Sequence, residues 1–398
     1  MSFLPHILIA GGGIGGLTAA TILAKNGCKV DLLEQAPAFT DIGAGLQLSP
    51  NAMQVHAAIG TAAAISEAGF TPDFAALRDF KTGKTYLKTP LHDLCPNRYG
   101  QPYIHIHRAD LQSLLVQAAK DAGVTIHLGC AAQTISQSDN AVSVETNIGR
   151  FTGDVLIGAD GIRSVVREHI HGEMAPRFTG QIAWRGTVAT NDLPAEMLPR
   201  AANVWMGPNR HFVAYYLRGG ALINFVAVQE QGQWTEESWS HKGEKSDLLA
   251  AFEGWDSRVT QLIKAAPDCY LWGLFDHAPL PHWAQGRVAL LGDAAHPMLP
   301  FMAQGAAMAT EDAWVLAQKL LTTSSPTAAL KVYELARKER ATKLQTISRG
   351  NAKLFHEPSK FGCTVRNFKL ATASKLPALQ HMKLDPIYGV NVVKDFPI

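Results

Sequence analysis

The sequence predicts an α/β fold: a Rossmann-like dinucleotide-binding domain carrying an inserted, mostly antiparallel β-sheet, with helices after it. Residues 6–34 read strand, glycine turn, helix, strand, acid. Two later apolar strands end in glycine–aspartate pairs. Between about residue 175 and residue 276 helical periodicity gives way to β-type runs.

Ile7–Ala10 is a short apolar run of the kind buried in parallel sheets. It enters Gly11-x-Gly13-x-x-Gly16 and an apolar helix that stops near Gly27; Lys29–Leu33 gives a second strand, closed by Glu34. In such a unit Gly11 permits the tight turn, Gly13 lets backbone amides approach a pyrophosphate, and Gly16 lets the helix pack closely on the strand. The helix N-terminus offers unpaired N–H groups and a positive dipole end to phosphates. Glu34 stands where an acid accepts hydrogen bonds from an adenosine ribose. A lone glycine turn is weak, but the ordered strand, helix, strand and acid specify a dinucleotide without choosing between NAD and FAD.

Small residues crowd Ile42-Gly43-Ala44-Gly45-Leu46-Gln47-Leu48, which suits backbone running against a flat or bulky group or, alternatively, a flexible loop. Ser49-Pro50-Asn51 opens a helix that stops at Gly60. Residues 70–103, rich in Pro, Asp and aromatics with a strand pattern at Thr85–Leu87, read as an excursion from the first domain. A long amphipathic helix starts at His105–Leu111 and runs to about Ala122, with Leu111, Leu114, Leu115 and Ala118 at helical spacing. Arg108 falls in its first turn, where the dipole favours an acid; it has an anionic partner such as a phosphate, or it is a solvated arginine. A strand at Val124–Leu128 and hairpin strands around Ala141–Glu145 and Arg150–Thr152 follow. Asp154–Gly158 is another parallel strand, leading to Asp160-Gly161 before Ile162-Arg163-Ser164 enters a helix. An acid there faces the ligand crevice of an open α/β sheet or caps the helix, and position alone leaves both readings open.

The inserted sheet is expected from Gln181–Thr190, Ala202–Met206, His211–Leu217 and Ala221–Val228, with one helix near Lys245–Phe252. His211 and Tyr215 are four apart on one strand, so they share a face at about 13 Å separation. Such a pair serves acid–base chemistry on a phenol, or it is ordinary sheet packing with satisfied polar tips. Arg287–Leu291 is a strand ending at Gly292-Asp293. The stretch Met298–Ala307, containing Pro300 and Met302, then feeds a helix carrying Glu311-Asp312, with Gln304-Gly305 at its anion-stabilising start. After a loop at Thr322–Pro326, a long helix runs to about Gly350. Residues 359–398 form a basic, irregular, weakly patterned tail.

The domain boundaries expected are 1–72, 101–174 and 277–350 for the dinucleotide-binding domain, 73–100 and 175–276 for the inserted β-sheet, and 351–398 for the tail. The chain has 398 residues, 47% hydrophobic and 18% charged, enough to build a sizeable core. A net charge of +2, with no long run of either sign, points away from nucleic acid. Five widely spaced cysteines fit a reducing cytosol, and no Cys/His spacing suggests a metal. The first strand leaves no room for a signal peptide, and no apolar stretch is long enough to span a bilayer. A cytoplasmic protein without membrane attachment is expected.

Gly11-x-Gly13-x-x-Gly16 with Glu34, Asp160-Gly161 and Gly292-Asp293, in that order, resemble the motifs of the single-component FAD-dependent aromatic hydroxylases over nearly the whole chain. This is the group containing 4-hydroxybenzoate, 3-hydroxybenzoate and salicylate hydroxylases. The segments GAGLQLSPNA, RHFVAYY and DAAHPMLPFMAQGAAMATEDA are most similar to salicylate hydroxylase, 3-hydroxybenzoate 6-hydroxylase and 6-hydroxynicotinate 3-monooxygenase. The resemblance implies a GR2-type FAD-binding domain with an inserted substrate sheet. It makes Glu34 the adenosine-ribose acid, Arg108 the pyrophosphate arginine, Asp160-Gly161 the motif linked to FAD and NAD(P)H use, and Asp293 the ribityl-binding aspartate. Gly45 joins the cofactor set, and amides near Gln304-Gly305 would stabilise negative charge on the flavin.

His211 and Tyr215 match the pocket histidine and tyrosine of the 3-hydroxybenzoate enzyme, the histidine acting as base. Gln47, Pro300 and Met302 would shape the pocket. The hydroxynicotinate enzymes carry histidines where this chain has Gln47 and Phe301, and the 3-hydroxybenzoate enzyme carries glutamine at Pro300, so the substrate stays open. No arginine can be placed as a dedicated carboxylate partner. The activity implied is hydroxylation of a small phenolic or hydroxy-heteroaromatic acid with FAD, NADH or NADPH, and O₂ through a flavin C4a-hydroperoxide; a homodimer is compatible with it. The alternatives are a flavin monooxygenase acting on a non-phenolic or polycyclic ring, and an FAD oxidase or redox sensor that inserts no oxygen. A plain NAD dehydrogenase would have no use for Gly292-Asp293.

Overall fold

The computed structural model describes residues 4–40, 45–232 and 242–398. The parallel sheet has six strands in the order Ala284–Gln285, Val288–Leu290, Val155–Gly158, His6–Ala10, Lys29–Glu34, Thr125–Leu128. Only the short edge pair, 284–285 with 288–290, runs antiparallel. His6–Ala10 occupies the interior because its apolar run suits burial on both faces, and Ile7, Leu8 and Ile9 have no exposed surface. The helix Ile14–Lys25 packs against the helices Gly305–Thr322 and Arg108–Asp121, so segments nearly 300 residues apart share one core.

A second sheet has seven strands in the order Tyr270–Asp276, Arg177–Ala189, Leu222–Glu230, Arg210–Leu217, Ala201–Gly207, Phe74–Asp79, Thr85–Thr89. It is antiparallel except where Ala201–Gly207 meets Phe74–Asp79. Alternation divides its faces. One face buries Trp205, Phe212 and Phe225 against Leu248 and Leu262 of two short helices, Lys245–Ala251 and Ser257–Ala265, and against Phe252 just after the first. The opposite face, with Ala183, Met206, Val228 and Trp272, meets Phe301, Phe355 and Leu370. Each large apolar side chain buried this way contributes about 1.5–3 kcal/mol. The candidate site lies along this second face.

Several expectations are corrected. Ile104–His107 is a strand, and the helix begins only at Arg108. Ile104-His105-Ile106-His107 alternates and pairs antiparallel with Gly45–Leu48. Residues 45–48 of the glycine-rich stretch are thus a strand, while Ile42-Gly43-Ala44 lie outside the described residues. Beside its two strands in the seven-stranded sheet, the excursion at 70–103 holds a helix that was not expected, Leu91–Tyr99. The insert holds a second helix, Ser257–Ala265, capped by Asp256 through the Arg258 N–H.

The helix expected to end near Gly350 continues to Phe355. The supposed irregular tail is three further helices, Lys360–Lys375, Pro377–Tyr388 and Val392–Asp395. Their caps were present in the sequence: Ser359 and Asn391 accept first-turn N–H groups, and Pro377 opens the second helix. They are held by Arg98 and Tyr99, which donate to Asp385, and by Trp314, whose indole N–H donates to the Phe396 carbonyl. Among the described residues no helix is long and apolar enough to cross a membrane, and no group of His, Cys, Asp or Glu could hold a metal ion.

Candidate active site

The glycine turn has the geometry its sequence requires. Gly11 has φ +107°, and a Cβ there would stand 2.3 Å from the Ala159 carbonyl oxygen. A Cβ on Gly16 would stand 2.1 Å from the Gly11 carbonyl oxygen, so the helix approaches the strand at a distance only glycine permits. Gly13 is the helix N-cap without a side-chain cap, and it borders open space. The first-turn N–H groups are therefore available to a ligand. Glu34 accepts the N–H groups of Gly12 and Ala36, at 2.6 and 2.8 Å, which fixes its carboxylate beside the turn. Each oxygen retains a lone pair for a hydroxyl donor.

Asp160 and Asp293 differ. The Asp160 carboxylate accepts the Ser164 hydroxyl at 2.5 Å and the Val166 N–H at 3.1 Å, so it organises the start of its own helix as the capping alternative describes. Burial raises its pKa, with Ser164 and Val166 opposing. Asp293 is solvent-accessible, yet it is packed round by enough protein for burial to raise its pKa against His296 and Arg108. Accessibility combined with dense surroundings marks the wall of a crevice. Arg108 is exposed, and its charge bears on both Asp293 and Arg185. The buried Arg167 donates to the carbonyls of Ile162 and Ala294 and joins the two aspartate loops.

Along the facing sheet, His211, Val213 and Tyr215 share one side, adjacent to Asn224 and Val226 and then to Arg185 on the next strand. Tyr215 is buried against Gly45: a Cβ on Gly45 would stand 2.5 Å from the Tyr215 ring. Gln47 accepts the Tyr103 hydroxyl at 2.6 Å. His105 lies 4.7 Å from the Tyr215 ring, and burial drives its pKa down to about 3, so it is neutral. Asn224 Oδ1 accepts the Gly45 N–H at 3.0 Å, while its buried Nδ2 has no partner. The Arg185 guanidinium lies 4.0 Å over the Trp272 ring, and burial lowers its pKa to about 10. His211 is buried, its ring 5.1 Å from Phe301 and 5.2 Å from Phe355. Its Nδ1 is 2.7 Å from Nε2 of His356. Burial holds His211 well below the ordinary histidine pKa, with His356 adding to the effect.

The helix starting at Gly305 completes the site. Its N-cap, Gln304, has no side-chain capping bond and follows Ala303 in the left-handed region at φ 52°, the kind of strain found at ligand sites. The Gln304 amide is used structurally instead, donating to Ser49 at 2.9 Å and accepting from Asn51 at 3.2 Å. Asn51 also donates to Glu311, which is ion-paired with Arg337 and Arg340; Asp312 pairs with Arg337 and His296. Burial alone would raise both acids, but these partners outweigh it and hold them low. Pro300 is exposed, and Met302 packs toward Met298, Met308 and Leu344; Phe301 is the residue of this turn that touches His211.

Residues 5–348 match the family described as FAD binding domain. The chain belongs to this family of FAD-binding proteins. Over 98% of its length it is 37% identical to 3-hydroxybenzoate 6-hydroxylase 1 of Aquipseudomonas alcaligenes, covering 99% of that protein. It is 36% identical to a 3-amino-4-hydroxybenzoate 2-monooxygenase of Streptomyces platensis, over 94% of each chain. A salicylate hydroxylase substrate complex superposes with a TM-score of 0.83 and 28% identity, over 98% of this chain and 97% of the other. The protein is an FAD-dependent aromatic monooxygenase that uses NAD(P)H and O₂. Its residues fit the cofactor: an uncapped helix start opens at Gly13, an unpartnered buried donor sits on Asn224 beside Gly45, and a second uncapped helix start stands at Gly305.

Sequence reasoning missed Tyr103, Arg185, Asn224, Phe355 and His356 in this monooxygenase. Arg185 left one readable signal, an arginine directly after the apolar Ile182-Ala183-Trp184, on the same face as Ala183. His356 left none.

Proposed function

We propose that this monooxygenase hydroxylates a small phenolic or hydroxy-heteroaromatic acid of the hydroxybenzoate, salicylate or hydroxynicotinate kind. The observation carrying the reading is the set of polar groups on one sheet face: the buried His211 and Tyr215, with the half-buried guanidinium of Arg185 on the next strand but one. A burial site this apolar tolerates such groups only where they are hydrogen-bonded or meet a ligand.

FAD reduced by NAD(P)H supplies the activation of O₂ when bound; the remaining work falls to the chain. The turn at Gly11, Gly13 and Gly16 receives the pyrophosphate with Arg108, Glu34 takes the adenosine ribose, and Asp293 takes the ribityl chain. Asp160-Gly161 shapes the loop beside them, and Gly45 lets the backbone pass close to the flavin. The N–H groups at Gln304-Gly305 would stabilise negative charge on the bound flavin. His211 accepts the hydroxyl proton of the substrate at Nε2, which makes the ring electron-rich. Tyr215, Gln47 and Tyr103 orient the ring, and Arg185 provides positive charge for the acid group. Pro300 and Met302 bound the pocket through the turn that carries Phe301.

The free thiols, four of the five buried, fit a reducing cytosol. The exposed Phe361, Phe368 and Met382 suit closure of a homodimer.

The test is a ligand panel on the yellow, FAD-loaded protein. Salicylate, 3-hydroxybenzoate, 3-amino-4-hydroxybenzoate and 6-hydroxynicotinate are each added with NADH, and NADH loss, product and peroxide are measured together. One ligand should stimulate NADH oxidation with matching product. Peroxide alone with every ligand would reject the hydroxylation of this substrate class.

A further inference from the structure

His211 is the inner end of a hydrogen-bonded chain that reaches solvent. Its Nδ1 meets Nε2 of His356 at 2.7 Å, and Nδ1 of His356 meets Oε1 of Glu230 at 3.1 Å. The side-chain exposure runs from 1% at His356 to 47% at Glu230, so the chain starts beneath a buried ring and ends in water. Backbone bonds hold the outer end: Asn209, in the turn before the His211 strand, donates its N–H to the His356 carbonyl and accepts the Glu230 N–H. Phe301 and Phe355 wall the two rings, and the charge of Arg210 bears on the titration of His356.

The polarity of such a chain is fixed by its outer group. A carboxylate at Glu230 accepts only, so His356 must donate through Nδ1. Its Nε2 is then a lone pair, which accepts Nδ1–H of His211. That assignment leaves a lone pair on Nε2 of His211, the tautomer a general base requires. Burial holds both imidazoles below their ordinary range and favours the neutral rings this scheme needs.

We propose that His356 and Glu230 are positioning residues that set the tautomer of His211 and carry the substrate proton out to solvent. The proposal rests on the phenolic reading above. The hydroxyl proton moves to Nε2 of His211, Nδ1–H of His211 moves to Nε2 of His356, and Nδ1–H of His356 moves to the Glu230 carboxylate, which releases it to water. One proton enters at the ring oxygen and one leaves at the surface, and no electrons are transferred. The carboxyl end of the long helix Pro326–Phe355 thereby belongs to the acid–base machinery.

The experiment uses the FAD-loaded enzyme in weak buffer with a pH indicator, mixed rapidly with salicylate, 3-hydroxybenzoate or 6-hydroxynicotinate and, separately, with the corresponding methyl ether. Wild type is expected to release a proton on binding the hydroxylated ligand and none on binding the ether. H356F and E230Q should slow that release by about tenfold or more while binding the ether with unchanged affinity. E230Q alters an exposed side chain and keeps the test valid where H356F disturbs folding. Release at the wild-type rate in both variants overturns the relay and leaves the hydroxylase reading intact. A wild type stimulated to oxidise NADH by a ligand that binds without proton release overturns His211 as base and the relay with it. A wild type stimulated by none of these ligands overturns the substrate class itself.

Discussion

Two requirements meet at His211. The residue must be dry enough to stay neutral and connected enough to dispose of a proton. Burial supplies the first, since the charged imidazolium is disfavoured among Phe301, Phe355 and the sheet. His356 supplies the second. His211→Ala is expected to lower product formation by about 10²-fold or more while the FAD content, read from the visible spectrum, stays that of wild type. Loss of FAD in that variant would move His211 from acid–base work to cofactor support.

The same residues show where the sequence stops being informative. His211 and Tyr215 could be placed on a common face because side-chain direction in a strand has period two. His356 could not, because it lies 145 residues away and its meeting with His211 depends on how a long helix crosses the sheet. Tyr103 hydrogen-bonds Gln47 from 56 positions away, again a tertiary event with no local trace.

Among the elements, the glycine turn was legible because each of its demands is local: a tight turn, a close approach, an open helix start. Gly16→Ala tests the close approach. The added Cβ would stand 2.1 Å from the Gly11 carbonyl oxygen, and the helix must move to relieve it. Overpacking of this kind costs about 1–3 kcal/mol, so a lower melting temperature and weaker FAD binding are expected, by thermal melt and by flavin fluorescence. Unchanged FAD affinity would show that the helix start does not hold the pyrophosphate. The C-terminal helices were illegible for the opposite reason. Phe361, Phe368 and Met382 face outward, while Arg366 and Gln380 are buried, so no clean apolar stripe marks a helix face. Alternation at Ile104–His107 was hidden by the helical periodicity that starts immediately after it.

For the whole molecule, the buried histidines govern the response to acid. Burial lowers the pKa of His56 to about 4 and of His105 to about 3, and His211 lies low as well. Unfolding returns each to about 6.5, so below that pH the unfolded chain binds more protons than the folded one. Stability should therefore be intact above about pH 6.5 and decline as the pH falls toward 4 and 3. Thermal melts at pH 7.5 and 5.0 check the sign: the melting temperature should be lower at pH 5.0. Added FAD should raise it at either pH, because a ligand that binds only the folded chain stabilises by mass action.

The general architecture was readable because strand, turn and helix signals of the first 34 residues agree with one another. The packing of the second sheet against Phe301, Phe355 and Leu370 was not, since it rests on contacts between residues far apart in sequence. The measurement bearing most directly on the activity is product formed under ¹⁸O₂ with NADH and the ligand that best stimulates its oxidation. A hydroxylated product carrying one ¹⁸O atom, in an amount matching the NADH consumed, is the outcome expected of an aromatic monooxygenase with a phenolic substrate. A product labelled only from water, or peroxide with no product, would contradict it.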